Sequence, residues 1–249
     1  MKKTFSKQVV ASFIIISLFI GGCHKKNDVI PDANNGMPPA NTKLKTSNNG
    51  NSYFEYDNAG RATKVTNNGN NEYTFVYSAD SVIQKRYLAN GAIMETYHMK
   101  LNANSQVENY VNDVYPSITI KYEYNADNTM RKKINYTNGI LDNITEYIYS
   151  GGNLAADSTF YPSGANWSGR KYQYYADKYS TLENINRGIA FWGTGNKNAL
   201  KKITYLTNGI VQTTQDFLIP ETDALNRLTK TSYQTNGSGT TFSISYTYY

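Results

Sequence analysis

The chain has 249 residues, 23 of them tyrosine, one cysteine and a formal net charge of +6. A single cysteine excludes an internal disulfide framework. Lys and Arg fall in short scattered groups, such as Lys85-Arg86, Arg131-Lys132-Lys133 and Lys201-Lys202; a nucleic-acid binder clusters them in a stripe, so no nucleic-acid partner is expected.

In chain order the first element is a leader. Lys2, Lys3 and Lys7 precede an apolar run from Val9 to Ile20. That run is shorter than the roughly 20 residues needed to span a bilayer, and it suits the apolar region of a secretory signal. It ends in Ile20-Gly21-Gly22-Cys23, which resembles a bacterial lipobox. The resemblance implies removal of residues 1–22 and acylation of Cys23, which would fix the chain to a membrane through its N-terminus. Three lysines leave with the leader, so the charge of +6 falls to +3. Residues 23–51 read as a flexible tether. They carry Pro31, Pro38 and Pro39 and almost no apolar periodicity, so they bury too little surface to offset chain entropy. Bacteroidota-type lipoproteins, which this leader resembles, direct surface export with an acidic cluster. His24-Lys25-Lys26-Asn27-Asp28 lacks it, which implies an outer-membrane lipoprotein facing the periplasm.

Residues 52–249 read as one all-β domain. Ile118, Ile120, Tyr122 and Tyr124 alternate with Thr119, Lys121 and Glu123. A period of two marks a half-buried strand. The same pattern runs through residues 73–77 and 242–248. Turn residues fall between: Asp57-Asn58-Ala59-Gly60, Asn125-Ala126-Asp127-Asn128 and Ser150-Gly151-Gly152-Asn153. Asn-Gly, a strong hairpin signal, recurs at residues 49–50, 68–69, 90–91, 138–139, 208–209 and 236–237. The unit of two strands and two turns is clearest in residues 53–65, 122–134 and 217–233. The spacing predicts an antiparallel hairpin-repeat meander of roughly 14 to 16 strands, too many for an open sheet that neither curls nor splits. A barrel, a half-shell or a folded-over sandwich is expected.

Tyr56-Asp57-Asn58-Ala59-Gly60-Arg61 resembles the YD repeats of Rhs and teneurin-type proteins. Together with the lipobox and the Asn/Tyr richness, it resembles Bacteroidota lipoproteins of unknown function with degenerate copies of that repeat. Elsewhere Gly-Arg is replaced, as in Asn128-Thr129-Met130-Arg131. The resemblance implies a curled β-shell in the cell envelope and no activity.

Residues 176–199 break the pattern. They include Ile189, Phe191 and Trp192, which argue for a folded insert, since long irregular segments without apolar residues tend to disorder. Two readings follow: a plug over one end of the shell, or a lid whose Phe191 and Trp192, with Trp167, touch a ligand. The plug is preferred, because large aromatics mostly serve cores. Gly193-Thr194-Gly195 lacks the Gly-Lys-Ser/Thr ending of a phosphate loop.

His98 has no sequence neighbour that is an acid or a metal ligand, and there is no His-Glu-x-x-His, Gly-x-Ser-x-Gly or Cys/His zinc spacing. The sequence therefore identifies no catalytic residue, metal ligand or cofactor. The expected function is a non-catalytic binding or scaffolding module of the envelope, with an envelope protein or glycan as partner. The alternatives are a glycan-binding accessory lipoprotein that uses an aromatic face, and an enzyme whose site the sequence does not display.

Overall fold

The computed structural model describes residues 42–47, 51–67, 71–162, 166–182 and 187–249. The leader and Cys23 lie outside them. Strands β1 to β6 are Leu44–Ser47, Ser52–Tyr56, Ala62–Asn67, Asn71–Tyr77, Ser81–Leu88 and Ile93–Leu101. Strands β7 to β12 are Val107–Asn112, Tyr115–Tyr124, Met130–Thr137, Ile140–Ser150, Asn153–Phe160 and Asn166–Tyr179. Strands β13 to β18 are Asn198–Thr207, Ile210–Phe217, Glu221–Thr222, Leu228–Thr235, Thr241–Ser245 and Thr247–Tyr248.

From β2 to β14 each strand pairs antiparallel with the next. Then β14 pairs with β16, and β16 with β17. Strand β1 pairs with β2 on one side and β18 on the other. The sheet thus curls until both ends of the meander meet on β1. The described residues hold eighteen strands, more than expected. The excess lies in two-residue pieces, β15 and β18, and in β1. The last is a correction: residues 44–47 had been assigned to the tether. Only Leu44 and Thr46 of β1 are buried there, too few alternating positions to register as a strand.

The alternation sets the two faces. Ile120 and Tyr122 are buried and Lys121 is exposed. Residues directly opposite on neighbouring strands share a face, so Tyr97, Met99, Tyr110, Ile120, Tyr122 and Tyr147 gather on the concave side. The convex side carries ion pairs in mid-strand: Lys64–Glu72 (2.6 Å), Lys132–Glu146 (2.8 Å), Lys202–Asp216 (3.0 Å) and Lys100–Glu108 (3.4 Å).

Connections alternate between the two ends of the shell. At one end the same five-residue turn occurs four times, at residues 57–61, 102–106, 125–129 and 223–227. In each, the first N–H donates to the fifth carbonyl and the fourth N–H to the first carbonyl, at 2.8 to 3.0 Å. The fourth residue is left-handed in every copy: Gly60, Ser105, Asn128 and Asn226. In three copies the first side chain is an Asx cap: Oδ1 of Asp57, Asn102 and Asp223 accepts the N–H groups two and four residues on. Asp223 also takes Arg227 Nε at 2.7 Å, as Asp57 takes Arg61 Nε at 2.8 Å. The 223–227 turn is therefore as close a copy as 57–61, with Asn226 in place of Gly60. The residue after each turn is buried: Ala62, Val107, Met130 and Leu228.

A tyrosine hydroxyl locks the start of five strands. Tyr56, Tyr77, Tyr124, Tyr174 and Tyr248 donate to the carbonyls of Leu44, Ala62, Val107, Leu154 and Leu228, at 2.6 to 2.9 Å. Each acceptor residue is itself buried. Tyr→Phe at any of the five should cost about 1 kcal/mol, the usual net value of such a bond. Tyr53→Phe, on an exposed side chain, should change stability by less than about 0.5 kcal/mol. Urea melts of the six variants measure both.

Candidate functional site

The insert spans 180–197, shorter than the expected 176–199. Tyr179 pairs with Asn198 after a register shift, so β12 resumes its ladder beyond residues 176–178 instead of ending at 175. The insert's described residues, 180–182 and 187–197, lie at the end that carries the five-residue turns and bond to several walls of the shell. Leu228 N–H donates to Thr181 Oγ1 (3.0 Å) and Ala62 N–H to the Gly188 carbonyl (2.9 Å). Thr194 N–H donates to the Asn128 carbonyl (2.9 Å), Leu154 N–H to Asn196 Oδ1 (2.8 Å) and Lys197 N–H to the Gly152 carbonyl (3.0 Å).

Two glycines set its height. Gly188 and Gly193 have φ of +70° and +88°, and a Cβ on either would clash. On Gly188 it would lie 2.4 Å from Ala62 N and 2.8 Å from the Tyr56 ring; on Gly193, 2.8 Å from both the Asn128 carbonyl oxygen and the Tyr124 ring. Both glycines thus seat on the same feature of two different repeats, the tyrosine ring beside its turn. Phe191 and Trp192, in the 3-10 turn Ala190–Trp192, point into the shell. Phe191 packs on Tyr77 at 6.1 Å between ring centroids, and Trp192 meets Tyr122 edge-on at 5.2 Å. Phe191 is buried and Trp192 packs against the core cluster. These contacts are those of a plug. Trp167 lies in β12, but its side chain is outside the described residues. Trp192→Ala should destabilise the protein by about 3–5 kcal/mol, the range for Trp and Phe truncations in cores. In a Trp167→Phe background, the native emission should be blue-shifted and resistant to quenching.

The opposite end carries the hairpin tips at 113–114, 138–139, 208–209 and 236–240. Its rim is apolar. Ile140 is 73% exposed and Ile210 67%, with Ile93, Val114, Val211 and Phe242 also exposed. Just inside, on β14, β16 and β17, three rings form a half-exposed row. Phe217 lies 5.4 Å from Tyr233, and Tyr233 stacks on Phe242 at 5.4 Å. Among the described residues the concave face is solvated here, whereas around β6 to β11 it is buried under the plug.

Polar groups are set into the concave face as well. Asp157, 4% exposed, accepts Arg170 Nε at 2.9 Å and the Tyr172 hydroxyl at 2.6 Å. Glu95 is bonded in the same way by Arg86 (3.2 Å) and by the Tyr97 hydroxyl. Lys133 lies opposite Tyr122 and Thr145 on the same face. The short basic groups at 85–86 and 131–133 do not lie wholly on the solvated face, because consecutive residues in a strand face opposite ways; Arg86 and Lys133 point inward.

Burial, and then the Arg170 charge, push the Lys133 ammonium down to about 8. Folding thus disfavours the charged form, and the penalty is full below pH 8. It disappears as pH rises from 8 toward the ordinary lysine value near 10.5. Burial raises Tyr110, Tyr122 and Tyr147 well above the ordinary phenol. Above pH 10 the unfolded chain ionises these groups and the native one does not, so stability then falls. Melting temperature should rise from pH 7.5 to about 9.5 and drop above 10, and Lys133→Met should remove the rising limb.

Among the described residues Glu95 and Asp157 share the concave face, and each is engaged by an arginine. His98, without an acid beside it in sequence, meets Asp113 across the β6–β7 hairpin at 3.1 Å on the outer surface. Among the described residues no group of three His, Cys, Asp or Glu could hold a metal.

No protein-family model matches the chain, and no curated protein matches it. Solved structures do. A porin-like protein from Bacteroides uniformis ATCC 8492 superposes with a TM-score of 0.57 at 13% identity, over 80% of this chain and 90% of that one. A porin-like protein from Bacteroides vulgatus ATCC 8482 gives 0.51 at 11% identity, over 84% and 99%. At such identities the likeness is one of fold.

Proposed function

We propose that this protein is a cell-envelope lipoprotein that acts as a non-catalytic binding module, with the solvated half of its concave face as the contact surface. The observation that carries the proposal is the asymmetry of the shell: one end is sealed by the insert, and the other presents an apolar rim and a half-exposed aromatic row. A pure scaffold has no need of a solvated concave face.

The convex ion pairs bear on where the strands work. A barrel spanning an outer membrane turns an apolar band about 25 Å tall toward lipid. Here Lys64, Lys132 and Lys202 with their acidic partners occupy that side, so the shell is built for water. Leu44 pairs with Tyr248, which puts the start of β1 at the plugged end. A tether running from an acylated Cys23 would reach the shell there and leave the open mouth turned away from the membrane, into the periplasm. The row of Phe217, Tyr233 and Phe242 favours a glycan among the candidate partners, because such rings stack on apolar sugar faces.

The test uses the processed chain with Cys23→Ser, immobilised and exposed to polysaccharide fractions of the envelope. Retention should fall at least tenfold with Tyr233→Ala or Phe242→Ala and be unchanged by Lys202→Ala on the convex face. Equal retention by all three would remove the concave face from the account.

A further inference from the structure

We propose that the open rim of the shell docks shallowly on the surface of a second lipid bilayer, one other than the membrane that holds Cys23. The contact itself goes beyond the binding reading above and stands on the hairpin tips. Only the choice of bilayer rests on that reading, whose anchor turns the mouth away from its own membrane.

The tips share one feature. Six consecutive hairpins of the meander, β5/β6, β7/β8, β9/β10, β11/β12, β13/β14 and β16/β17, each expose a large apolar side chain at the open end: Ile93, Val114, Ile140, Tyr161, Ile210 and Phe242. Single exposed apolar residues are ordinary, but a large apolar patch marks a contact with protein or membrane. Because β14 pairs with β16, neighbouring hairpins are two strands apart throughout. At about 4.8 Å per strand, the six tips trace an arc of about 48 Å along the curled sheet. Polar turns such as Asn138-Gly139 and Asn208-Gly209 separate the apolar points. A folded partner would have to match each point at its own height. A fluid bilayer fills in around them, with the Asn-Gly turns hydrogen-bonded among headgroups and water.

Charge distinguishes this end as well. Residues 88–94, 112–116, 137–142, 161–162, 207–212 and 235–242 contain no lysine or arginine. Their two acids are engaged: Asp113 meets His98, and Asp142 accepts the Asn143 amide at 2.9 Å. The turns at the plugged end, by contrast, carry Arg61 and Arg227. A rim without cations has no electrostatic pull on anionic headgroups, so its attachment comes from apolar burial and is indifferent to lipid charge and to salt. The ion pairs of the convex side limit its depth. Lys132 and Lys202, paired with Glu146 and Asp216, lie five residues in from Thr137 and Thr207, about 17 Å along the strand. That is too little to cross a hydrocarbon core of about 30 Å, so the rim rests on the bilayer and the shell stays in water.

The experiment has two arms. In the first, the processed chain with Cys23→Ser is floated with phosphatidylcholine vesicles. It should bind, and its affinity should change less than about twofold when anionic phosphatidylglycerol is added to the vesicles or when salt rises from about 0.05 to about 0.5 M. The double variant Ile140→Ser/Ile210→Ser should bind at least tenfold more weakly. Both side chains are exposed, so its melting should be unchanged. Val76→Ser, also exposed but beside the plugged end, should bind as the parent does. In the second arm, native Cys23 is coupled to a maleimide-bearing lipid in one set of vesicles, and capture of a second, dye-labelled set is measured. The parent should capture them and the double variant should not. If binding requires the anionic lipid and disappears in high salt, basic surfaces make the contact and the rim is wrong. If the double variant binds as the parent does, or no vesicle is bound, the inference is overturned. If the chain binds no lipid but forms a dimer that the double variant abolishes, the inference is overturned in favour of a second copy. If the free chain binds vesicles but the coupled chain captures none, the rim lands on its own membrane, and the second bilayer and the outward mouth are both wrong. The retention experiment with polysaccharide fractions decides the broader reading separately, because it turns on Tyr233 inside the mouth.

Discussion

The structure depends on one repeated interaction: a tyrosine hydroxyl donating to the main-chain carbonyl at the start of a neighbouring strand. Five tyrosines do this. Each places its ring against the buried residues that follow the tight turns and satisfies a carbonyl near the end of the ladder, where strands otherwise fray. A phenylalanine gives the packing without the bond, and a serine the bond without the packing. This dual demand accounts for these five tyrosines and for the Asx-type turn that recurs beside several of them. Turn and tyrosine together set the register, and a register slip of one residue would turn every concave ring outward.

The plug follows from the same repeat. Gly188 and Gly193 sit where a side chain would strike Tyr56, Ala62, Tyr124 or Asn128, so the insert is fitted to two copies of the tyrosine–turn unit. Phe191 and Trp192 then fill the space between walls. Burial at this end makes the concave face there structural. At the other end nothing comparable covers the aromatic row among the described residues. The proposed contact surface is accordingly the half of the shell that the plug does not reach.

Much of the architecture was legible in the sequence. Period-two alternation identified the strands and their faces, as with Ile120, Lys121 and Tyr122, and Asn-Gly marked genuine two-residue turns at 138–139 and 208–209. The turn at 223–227 was harder to grade, because a left-handed asparagine does there what glycine does at residue 60. Strand β1 was missed since its short run carries little alternation, and its place is set by partners at both chain ends. The polar concave residues were missed for a different reason. Lys133 and Arg86 read as surface charge when basic pairs are treated as units, and only strand geometry assigns one member inward. Glu95 and Asp157 find their arginines through cross-strand register, which sequence spacing does not encode.

The central claim is that the shell is sealed at one end and solvated at the other. Thiol reactivity reads this directly, in a Cys23→Ser background with single cysteines on the concave face. Thr213→Cys and Thr235→Cys, near the open mouth, should react with a maleimide at close to the rate of an unfolded thiol. Val107→Cys and Met130→Cys, beneath the plug, should react only as the protein unfolds. Similar native-state rates at the two ends would contradict the account.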